Sequence, residues 1–229
     1  MTRPAPVTGT PARPSVRDLI TVHRLEFPFG INTACQAVWG ACFTVAGPGG
    51  LLAPAVVAAV VATLAVLLGG LVLNTAVDLD SDRRHAERGG LAGAARRLGR
   101  TAGLRLACAE FALGLVLASA VSVWTGRWLV AGAVAAAVVT QVLYNVDPVR
   151  LKARGQAGPV VFSSGVIALP FLATYAAVDG VPPVELWPVF GGLTVLAVGR
   201  VVWWSVPDVD ADAAAGLRTT GVRRGPAGA

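Results

Sequence analysis

Long apolar stretches recur along this chain, and they limit its fold more than any other feature. An α-helix needs about 20 predominantly apolar residues to span roughly 30 Å of hydrocarbon. Six stretches approach that length, and none alternates at every second residue as a membrane β-strand would. They are Phe29–Ala46, Leu51–Val77, Leu104–Thr125, Trp128–Tyr144, Val160–Val178 and Trp187–Val206. The sequence therefore predicts an all-α fold, a polytopic transmembrane helix bundle of about six spans.

The composition agrees with a membrane protein and disfavours a nucleic-acid-binding one. Hydrophobic residues make up 55% of the chain and charged residues 14%, against about 25% charged residues in a typical soluble domain. The net charge of +6 comes from basic residues that lie between the apolar stretches. They do not form the basic stripe of a nucleic-acid-binding surface. We therefore expect contact with membrane lipid and none with nucleic acid.

The basic residues are placed asymmetrically about the predicted spans. Seventeen of the 19 Lys and Arg residues lie in four places or at their edge: the N-terminal segment, the segments between spans two and three and between spans four and five, and the C-terminal tail, with Arg105 as the second residue of span three. Cytoplasmic loops carry such an excess of positive charge. An even number of spans also leaves both termini on one side. Because the bias toward Ala, Val, Gly and Arg indicates a bacterial coding sequence, we expect a multi-pass protein of the bacterial cell membrane with cytoplasmic termini.

The same pattern divides the chain into three parts. Residues 1–28 contain four arginines, several prolines and no apolar core. We therefore expect a cytoplasmic tail rather than a signal peptide, with Val16 to Phe27 as a short interfacial helix. Residues 29–206 form the predicted transmembrane bundle. Residues 207–229 form a cytoplasmic C-terminal segment with its own acidic motif.

Acidic side chains follow the second span, in the stretch LVLNTAVDLDSDRRH. Asn74, Asp78 and Asp82 are spaced four residues apart, which leaves them on one face if the helix continues. Carboxylates this close repel one another, and a bound cation relieves the repulsion. Oxygen ligands suit a hard divalent ion, and Mg²⁺ leaves room for phosphate oxygens in its coordination shell. The spacing therefore predicts a magnesium site.

The same arrangement recurs after the sixth span, at the same end of the bundle. Asp208 and Asp212 are again four residues apart. The loop between spans four and five, YNVDPVRLKARG, adds Arg150 and Lys152 at this face. A metal bridges carboxylate and phosphate oxygens, while Lys and Arg neutralise the remaining phosphate charge. Together the three elements predict a binding site for a diphosphate.

These motifs resemble those of the UbiA superfamily of intramembrane prenyltransferases. That family carries N-x-x-x-D-x-x-x-D after its second helix, which Asn74, Asp78 and Asp82 match in full. It carries D-x-x-x-D after its sixth helix, matched by Asp208 and Asp212. A further stretch of some members, Y-x-x-x-P-x-[KR]-L-K, is matched by Tyr144, Pro148, Arg150, Leu151 and Lys152.

The resemblance implies an enzyme that transfers an isoprenyl group from an isoprenyl diphosphate to a hydrophobic acceptor, with Mg²⁺ as cofactor. It implies a helix bundle around a dry cavity that opens toward the lipid and protects an allylic carbocation from water. The residues expected to hold metal are Asn74, Asp78, Asp82, Asp208 and Asp212. The residues expected to contact substrate or act in catalysis are Asn74, Tyr144, Arg150 and Lys152. Arg200, an intramembrane arginine, is a further candidate for substrate binding.

Two other functions are compatible with the same motifs. A terpene cyclase of the superfamily would ionise the same diphosphate but capture the cation with the substrate's own double bonds. A non-catalytic relative would bind lipid diphosphates, or would need a protein partner or an oligomer to complete the bundle. Family members usually have nine helices, so the last of them have no counterpart among the six predicted here. The intact aspartates favour an enzyme of isoprenoid or terpene biosynthesis.

Overall fold

The computed structural model describes residues 14–26, 29–79, 89–207, 209–214, 216 and 218–225. Most of these residues are helical. The α-helices are α1 (Val16–Val22), α2 (Phe29–Cys42), α3 (Pro54–Val77), α4 (Gly89–Leu98), α5 (Arg100–Thr125), α6 (Leu129–Asn145), α7 (Ala157–Ser163), α8 (Leu169–Asp179), α9 (Trp187–Trp204), α10 (Val209–Ala214) and α11 (Thr220–Arg224). A π-helical turn, Ser164–Ala168, joins α7 and α8 into one continuous helix. The predicted all-α fold is confirmed.

Four helices in the described ranges are long and apolar enough to cross a membrane. They are Pro54–Val77, Arg100–Thr125, Ala157–Asp179 and Val184–Trp204, the last including a 3-10 turn before α9. Helix α6 is apolar but has 17 residues, and α2 has 14. Each predicted span thus coincides with a helix. The count of six spans stays a prediction, because two of these helices are shorter than the roughly 20 residues that hydrocarbon requires.

Some helix ends differ from the predicted spans for local reasons. Helix α3 begins at Pro54 rather than Leu51, because Pro48–Leu52 forms a separate 3-10 turn and proline is favoured in the first helical turn. Helix α5 begins at Arg100 rather than Leu104. Its first turn carries charge, so hydropathy alone marks the edge of the apolar region rather than the start of the helix.

The end of α3 changes the argument for the first acidic motif. The helix ends at Val77, and Asp78 is its C-cap residue, whose N–H donates to the backbone oxygen of Asn74 at 3.0 Å. Helical spacing therefore relates Asn74 to Asp78 but does not extend to Asp82. Asp82 itself lies outside the described residues.

Small residues let the central helices approach one another closely. Helices α3 and α5 pack together over much of their length, and a side chain on Gly114 would lie 2.9 Å from the backbone oxygen of Ala62. Where α2 meets α8, a side chain on Gly40 would overlap the backbone oxygen of Phe171. Direct packing of this kind stabilises helix pairs in lipid, where the hydrophobic effect does not draw helices together.

Helix α1 is fixed to the bundle at both ends. Its N-cap residue, Ser15, forms a capping box with Asp18, and the Asp18 carboxylate also accepts hydrogen bonds at 3.0 Å from Arg97 Nε of α4. At the other end, His23 Nε2 lies 2.7 Å from Glu110 Oε1 of α5. A helix is thus present in the predicted segment but ends at Val22 rather than Phe27, and it docks on α4 and α5. Its position at the membrane interface stays a prediction.

The contact of His23 with Glu110 depends on protonation of the histidine ring. The ring Nδ1 donates to the backbone oxygen of Leu19 at 2.7 Å, so Nε2 can also donate only when the ring carries both protons. The hydrogen bond with Glu110 raises the pKa of His23 above its ordinary value of 6.5. The contact therefore stabilises docking of α1 at pH values below 6.5, and this stabilisation is lost as the pH rises through the raised pKa.

We expect the N-terminal helix to loosen at high pH. A nitroxide label at Val16→Cys, an exposed position of α1, in a variant without the native cysteines should become more mobile between about pH 6 and about pH 9. Arg97 holds the pKa of Asp18 well below its ordinary value of 3.8, so that pair does not titrate in this range. Electron paramagnetic resonance measures the mobility. A label at exposed Val184→Cys is the control, and unchanged mobility at position 16 would contradict the prediction.

Candidate functional site

The first acidic motif meets the basic loop at one end of the bundle. The Asp78 side chain is 15% exposed and lies between two cations. Its Oδ1 accepts a hydrogen bond from Arg150 Nη2 at 3.0 Å, and its Oδ2 accepts one from Lys152 Nζ at 2.6 Å. Charge-assisted hydrogen bonds such as these are about twice as strong as neutral ones. The structure thus brings together three of the residues that the sequence assigns to the site.

The backbone conformation of the loop between α6 and α7 lets Arg150 and Lys152 reach Asp78. Arg150 has φ 36° and ψ 62°, a left-handed conformation that non-glycine residues rarely adopt. A 3-10 turn, Leu151–Ala153, follows at once. The chain bends sharply here, so the side chains of Arg150 and Lys152 reach the two oxygens of one carboxylate. The ion pairs with Asp78 offset the strain at Arg150, which costs about 1–2 kcal/mol.

Amide side chains extend this cluster toward the interior of the bundle. Asn74 Nδ2 donates to Asn145 Oδ1 at 2.7 Å, and Lys152 Nζ lies 3.4 Å from the same oxygen. Asn145 is fully buried, and its Nδ2 donates to the backbone oxygen of Gln141 at 2.9 Å. Asn74 Oδ1 faces Arg24 Nη2 at 3.4 Å. Asn74 therefore links the charged cluster to Arg24 and Asn145, which the sequence analysis did not assign to the site.

Arg24 reaches Asn74 because α1 ends in a tight turn. The φ of Arg24 is 52°, and its N–H donates to the backbone oxygen of Thr21, while Leu25 N–H donates to that of Ile20, both at 3.0 Å. This is the hydrogen-bond pattern of a Schellman motif, with arginine where glycine is usual. The adjacent contact of α1 with α5 fixes the position of the turn.

A cavity of about 90 Å³ adjoins the charged cluster inside the bundle. Its apolar and aromatic lining residues are Leu67, Leu71, Phe162, Val166 and Trp204. Its polar lining residues are Arg24, Asn32, Gln36, Gln141 and Arg200. Leu71 and Gln141 lie about one helical turn before Asn74 and Asn145. The cavity therefore begins where the cluster around Asp78 ends.

Two further residues that the sequence assigned to the site flank this cavity. The ring of Tyr144 packs on Phe162 with the ring centroids 5.0 Å apart, so Tyr144 supports the cavity wall. The guanidinium of Arg200 lies 4.3 Å from the centroid of the Trp204 ring, and both side chains are exposed. Arg200 thus lies at the mouth of the cavity.

The C-terminal segment is joined to the same loop by a short parallel strand pair. Strand β1 (Arg154–Gly155) follows the basic loop and pairs with β2 (Arg218–Thr219). Strand β2 follows α10, whose backbone includes Asp212. The pairing places Arg218 and Thr219 beside the residues that follow the basic loop. Asp208 and the side chain of Asp212 lie outside the described residues.

The donor atoms of the described part suit Mg²⁺. Asp78 offers carboxylate oxygens and Asn74 an amide oxygen, which are hard ligands of the kind that Mg²⁺ binds. Asp82, Asp208 and the side chain of Asp212 would complete the predicted set. Within the described ranges, no three acidic, histidine or cysteine side chains lie close enough to share a metal. A metal at Asp78 would compete with the two cations for its oxygens.

Three polar residues that the sequence motifs do not include share one feature that the sequence shows. Gln36, Gln141 and Asn145 lie within apolar helices, and each is at most 6% exposed. Polar side chains within membrane helices generally face the interior of the bundle. Their positions in the sequence therefore indicate the inner faces of α2 and α6, although not what they contact.

The fold and the site together define a polytopic membrane protein with a charged cluster at one end of an internal cavity. The model of the UbiA prenyltransferase family matches residues 34–229. The chain belongs to the UbiA prenyltransferase family and is an integral membrane protein. The resemblance inferred from the three motifs is thereby confirmed. No curated protein matches the chain.

Solved structures similar to the chain come from a UbiA homolog of Archaeoglobus fulgidus. The structure bound to GPP and Mg²⁺ has a TM-score of 0.71 at 19% sequence identity, over 92% of this chain and 70% of that one. The structure bound to DMAPP and Mg²⁺ has a TM-score of 0.72 at the same identity and coverage. The structure bound to Cd²⁺ has a TM-score of 0.69 at 16% identity, over 92% and 70%. At this identity the likeness shows a shared fold, which confirms the predicted UbiA-like helix bundle.

Proposed function

We propose that this protein transfers an isoprenyl group from an isoprenyl diphosphate to an acceptor within the membrane, with Mg²⁺ as its cofactor. Membership of the UbiA prenyltransferase family supports this reaction class. Two structures of the Archaeoglobus fulgidus homolog are bound to GPP or DMAPP together with Mg²⁺, and both ligands are isoprenyl diphosphates. A donor of that chemistry is therefore the first to test.

The position of Asp78 is the observation that carries the proposal. This carboxylate of the first motif contacts both basic residues of the loop, Arg150 and Lys152, and the internal cavity begins beside them. A diphosphate needs metal-binding carboxylates and cations within reach of one another. Its hydrocarbon chain needs an apolar space next to them. The arrangement offers the charged groups at one place, and the adjoining cavity of about 90 Å³ would have to widen to hold an isoprenyl chain, since a cavity that holds benzene is already roughly 150 Å³.

In the proposed reaction, the bond between the isoprenyl carbon and the diphosphate oxygen breaks, leaving an allylic cation and a diphosphate anion. Arg150 and Lys152 stabilise the negative charge that develops on the departing diphosphate. Bound Mg²⁺ would stabilise the same charge, and the residues proposed to hold it are Asn74, Asp78, Asp82, Asp208 and Asp212. The apolar residues of the lining, Leu67, Leu71, Phe162 and Val166, would keep water away from the cation on their side of the cavity. Tyr144 supports the wall of this space.

Diphosphate release from geranyl, farnesyl and geranylgeranyl diphosphates tests the proposal. Purified protein in nanodiscs, with membrane extract as a source of acceptors, should release diphosphate in Mg²⁺ and not in EDTA. Asp208→Ala should abolish diphosphate release. Glu185 is exposed at the opposite end of the bundle, so Glu185→Gln should leave diphosphate release unchanged. A product formed from the donor alone would show a terpene cyclase instead. No release from any donor, with donor binding retained, would show a non-catalytic protein.

A further inference from the structure

The short parallel strand pair places two arginines directly opposite each other. Arg154 of β1 is the register partner of Arg218 of β2, and both side chains are exposed. Neighbouring strands lie only about 4.8 Å apart, and side chains at paired positions interact on one face, where like charges are destabilising. An anion bound between the two guanidinium groups would remove this repulsion.

A third arginine lies against the same strand pair. The guanidinium of Arg223 in α11 occupies the space beside Gly155, since a side-chain carbon added at Gly155 would lie 2.9 Å from Arg223 Nη1. Arg223 lines a surface cavity of about 260 Å³ together with Ala153, Arg154 and Arg218. Three guanidinium groups from three different elements thus converge on one cavity.

A second surface cavity shares Arg223 with the first. Its volume is about 280 Å³, and its lining residues are Gly155, Gln156, Thr220, Arg223 and Arg224. Thr220 is 3% exposed, and its hydroxyl has no hydrogen-bonding partner within the described ranges. A buried hydroxyl without a partner is destabilising. Rotation of this side chain about its Cα–Cβ bond would present the hydroxyl to an acceptor in the cavity. The two cavities together form the arginine cleft.

The arginine cleft has no counter-charge from the part of the chain that the structure describes. Arg154 donates to the backbone oxygen of Pro148 at 2.7 Å, and no ion pair between described residues includes any of the four arginines. The nearest described acids along the chain are Asp147, which pairs with Arg150 instead, and Asp210, which is exposed. The cleft therefore favours an anion that accepts several hydrogen bonds. A phosphate group does so, because guanidinium binds it through two parallel hydrogen bonds.

The arginine cleft lies where a membrane-spanning helix begins. Gln156 of its lining immediately precedes Ala157, the first residue of the helix Ala157–Asp179. Val160, one helical turn further on, is 46% exposed. Trp203, near the end of the neighbouring helix α9, is 71% exposed, and tryptophan is enriched where membrane and water meet. An apolar surface that could contact acyl chains thus begins within one helical turn of the guanidinium groups.

We propose that the arginine cleft binds the phosphate headgroup of an anionic phospholipid. The guanidinium groups hold the phosphodiester, the hydroxyl of Thr220 donates to one of its oxygens, and the acyl chains lie against the exposed side of α7. A zwitterionic headgroup binds less well, because the arginines repel its quaternary ammonium group. The described lining of the cleft shares no residue with the internal cavity or with the cluster around Asp78. The inference therefore does not depend on the proposed prenyl transfer.

Two lipids with the same acyl chains test this inference. The probes are dioleoyl phosphatidylglycerol and dioleoyl phosphatidylcholine, titrated into detergent-purified protein, and native mass spectrometry measures the fraction of protein that carries lipid. We expect the unmodified protein to bind phosphatidylglycerol at least about 10-fold more tightly, as hydrogen bonds between charged groups imply. A double variant, Arg218→Gln with Arg223→Gln, should bring the two affinities to within about 3-fold. Lysine at both positions should keep a preference for phosphatidylglycerol.

Two further variants separate the cleft from the general positive charge of the protein. Arg105→Gln removes an exposed arginine outside the cleft and should leave the preference for phosphatidylglycerol unchanged. Thr220→Val keeps the shape of the side chain and removes the unpartnered hydroxyl. It should weaken phosphatidylglycerol binding by about 2- to 10-fold, and it decides the matter if the double variant does not fold.

Three results would overturn the inference: equal affinities for the two lipids in the unmodified protein, a preference that survives loss of both arginines, or an equal loss of preference in Arg105→Gln. Inorganic phosphate at the same concentration as the lipid should leave phosphatidylglycerol bound, and displacement would assign the cleft to soluble phosphate instead. The affinity of the double variant for geranyl S-thiolodiphosphate should change less than about 3-fold, as for exposed charges. A parallel loss of that affinity would place the arginines in the donor site and contradict a separate lipid site.

Discussion

Replacing Asp78 by asparagine should lower kcat/KM for the isoprenyl diphosphate by about 100-fold or more, the size of effect seen when one charge-stabilising group is removed from an active site. The change keeps the size of the side chain but removes the negative charge between Arg150 and Lys152. It also removes a carboxylate that we propose for Mg²⁺. Diphosphate release at varied donor concentrations, in nanodiscs, measures the effect.

The control for Asp78→Asn has to separate a loss of catalysis from a loss of stability of the folded protein. Two partly buried cations lose the Asp78 carboxylate as a counter-ion, and breaking a buried pair can cost about 3–5 kcal/mol of stability. Thermal unfolding of the variant should therefore be recorded with and without Mg²⁺ and donor. Glu185→Gln serves as the matched removal of an exposed carboxylate. Wild-type kcat/KM in folded Asp78→Asn would show that this aspartate is outside the reaction.

Replacing Lys152 by methionine should raise the KM for the donor and lower kcat together. Lys152 Nζ contacts Asp78 Oδ2 at 2.6 Å and lies 3.4 Å from Asn145 Oδ1, with a side chain 12% exposed. Methionine keeps the length of the stem and removes the charge. A charge-assisted hydrogen bond contributes about 1.5–3 kcal/mol, so the loss in kcat/KM should be roughly 10- to 150-fold.

Arg154→Gln is the matched control for the lysine. Arg154 is exposed, lies two residues further along the chain, and donates to the backbone oxygen of Pro148 at 2.7 Å rather than to the acidic motif. Its loss should change kcat/KM less than about 3-fold, as for an exposed charge. If Arg154→Gln and Lys152→Met reduced activity equally, the positive charge of the loop as a whole, and not the contact with Asp78, would be responsible.

The apolar pattern predicted the bundle because a membrane leaves the backbone few alternatives. Buried in hydrocarbon, N–H and C=O groups must pair within the chain, and a long apolar stretch satisfies this as a helix. Helices α3 and α5 follow from that requirement. The ends of the helices do not, since Pro54 and Arg100 begin helices for reasons of local backbone chemistry that hydropathy does not record.

The site was predictable in its residue types and only partly in its contacts. Motif spacing placed Asn74, Asp78, Arg150 and Lys152 at one end of the bundle, and the structure joins them. Their direct pairing depends on the left-handed backbone of Arg150, which no spacing rule predicts. The assignments of Asp82, Asp208 and Asp212 to metal remain predictions, because Asp82 and Asp208 and the side chain of Asp212 lie outside the described residues.

The docking of α1 shows a second limit of sequence reasoning. Asp18 pairs with a residue 79 positions away, and His23 with one 87 positions away. Such contacts follow from how the helices pack, and the sequence of α1 alone shows only an amphipathic segment near the membrane. The position of Arg24 over Asn74 is a consequence of that docking.

The most direct test of the proposed donor site is the affinity for geranyl S-thiolodiphosphate, a donor analogue with a poor leaving group, measured calorimetrically in nanodiscs with Mg²⁺ and with EDTA. We predict that Mg²⁺ increases the affinity at least about 10-fold, as expected when a metal joins carboxylate and phosphate oxygens. We also predict that Asp78→Asn removes this increase. Equal affinity with Mg²⁺ and with EDTA in the unmodified protein would contradict a metal-dependent diphosphate site at Asp78.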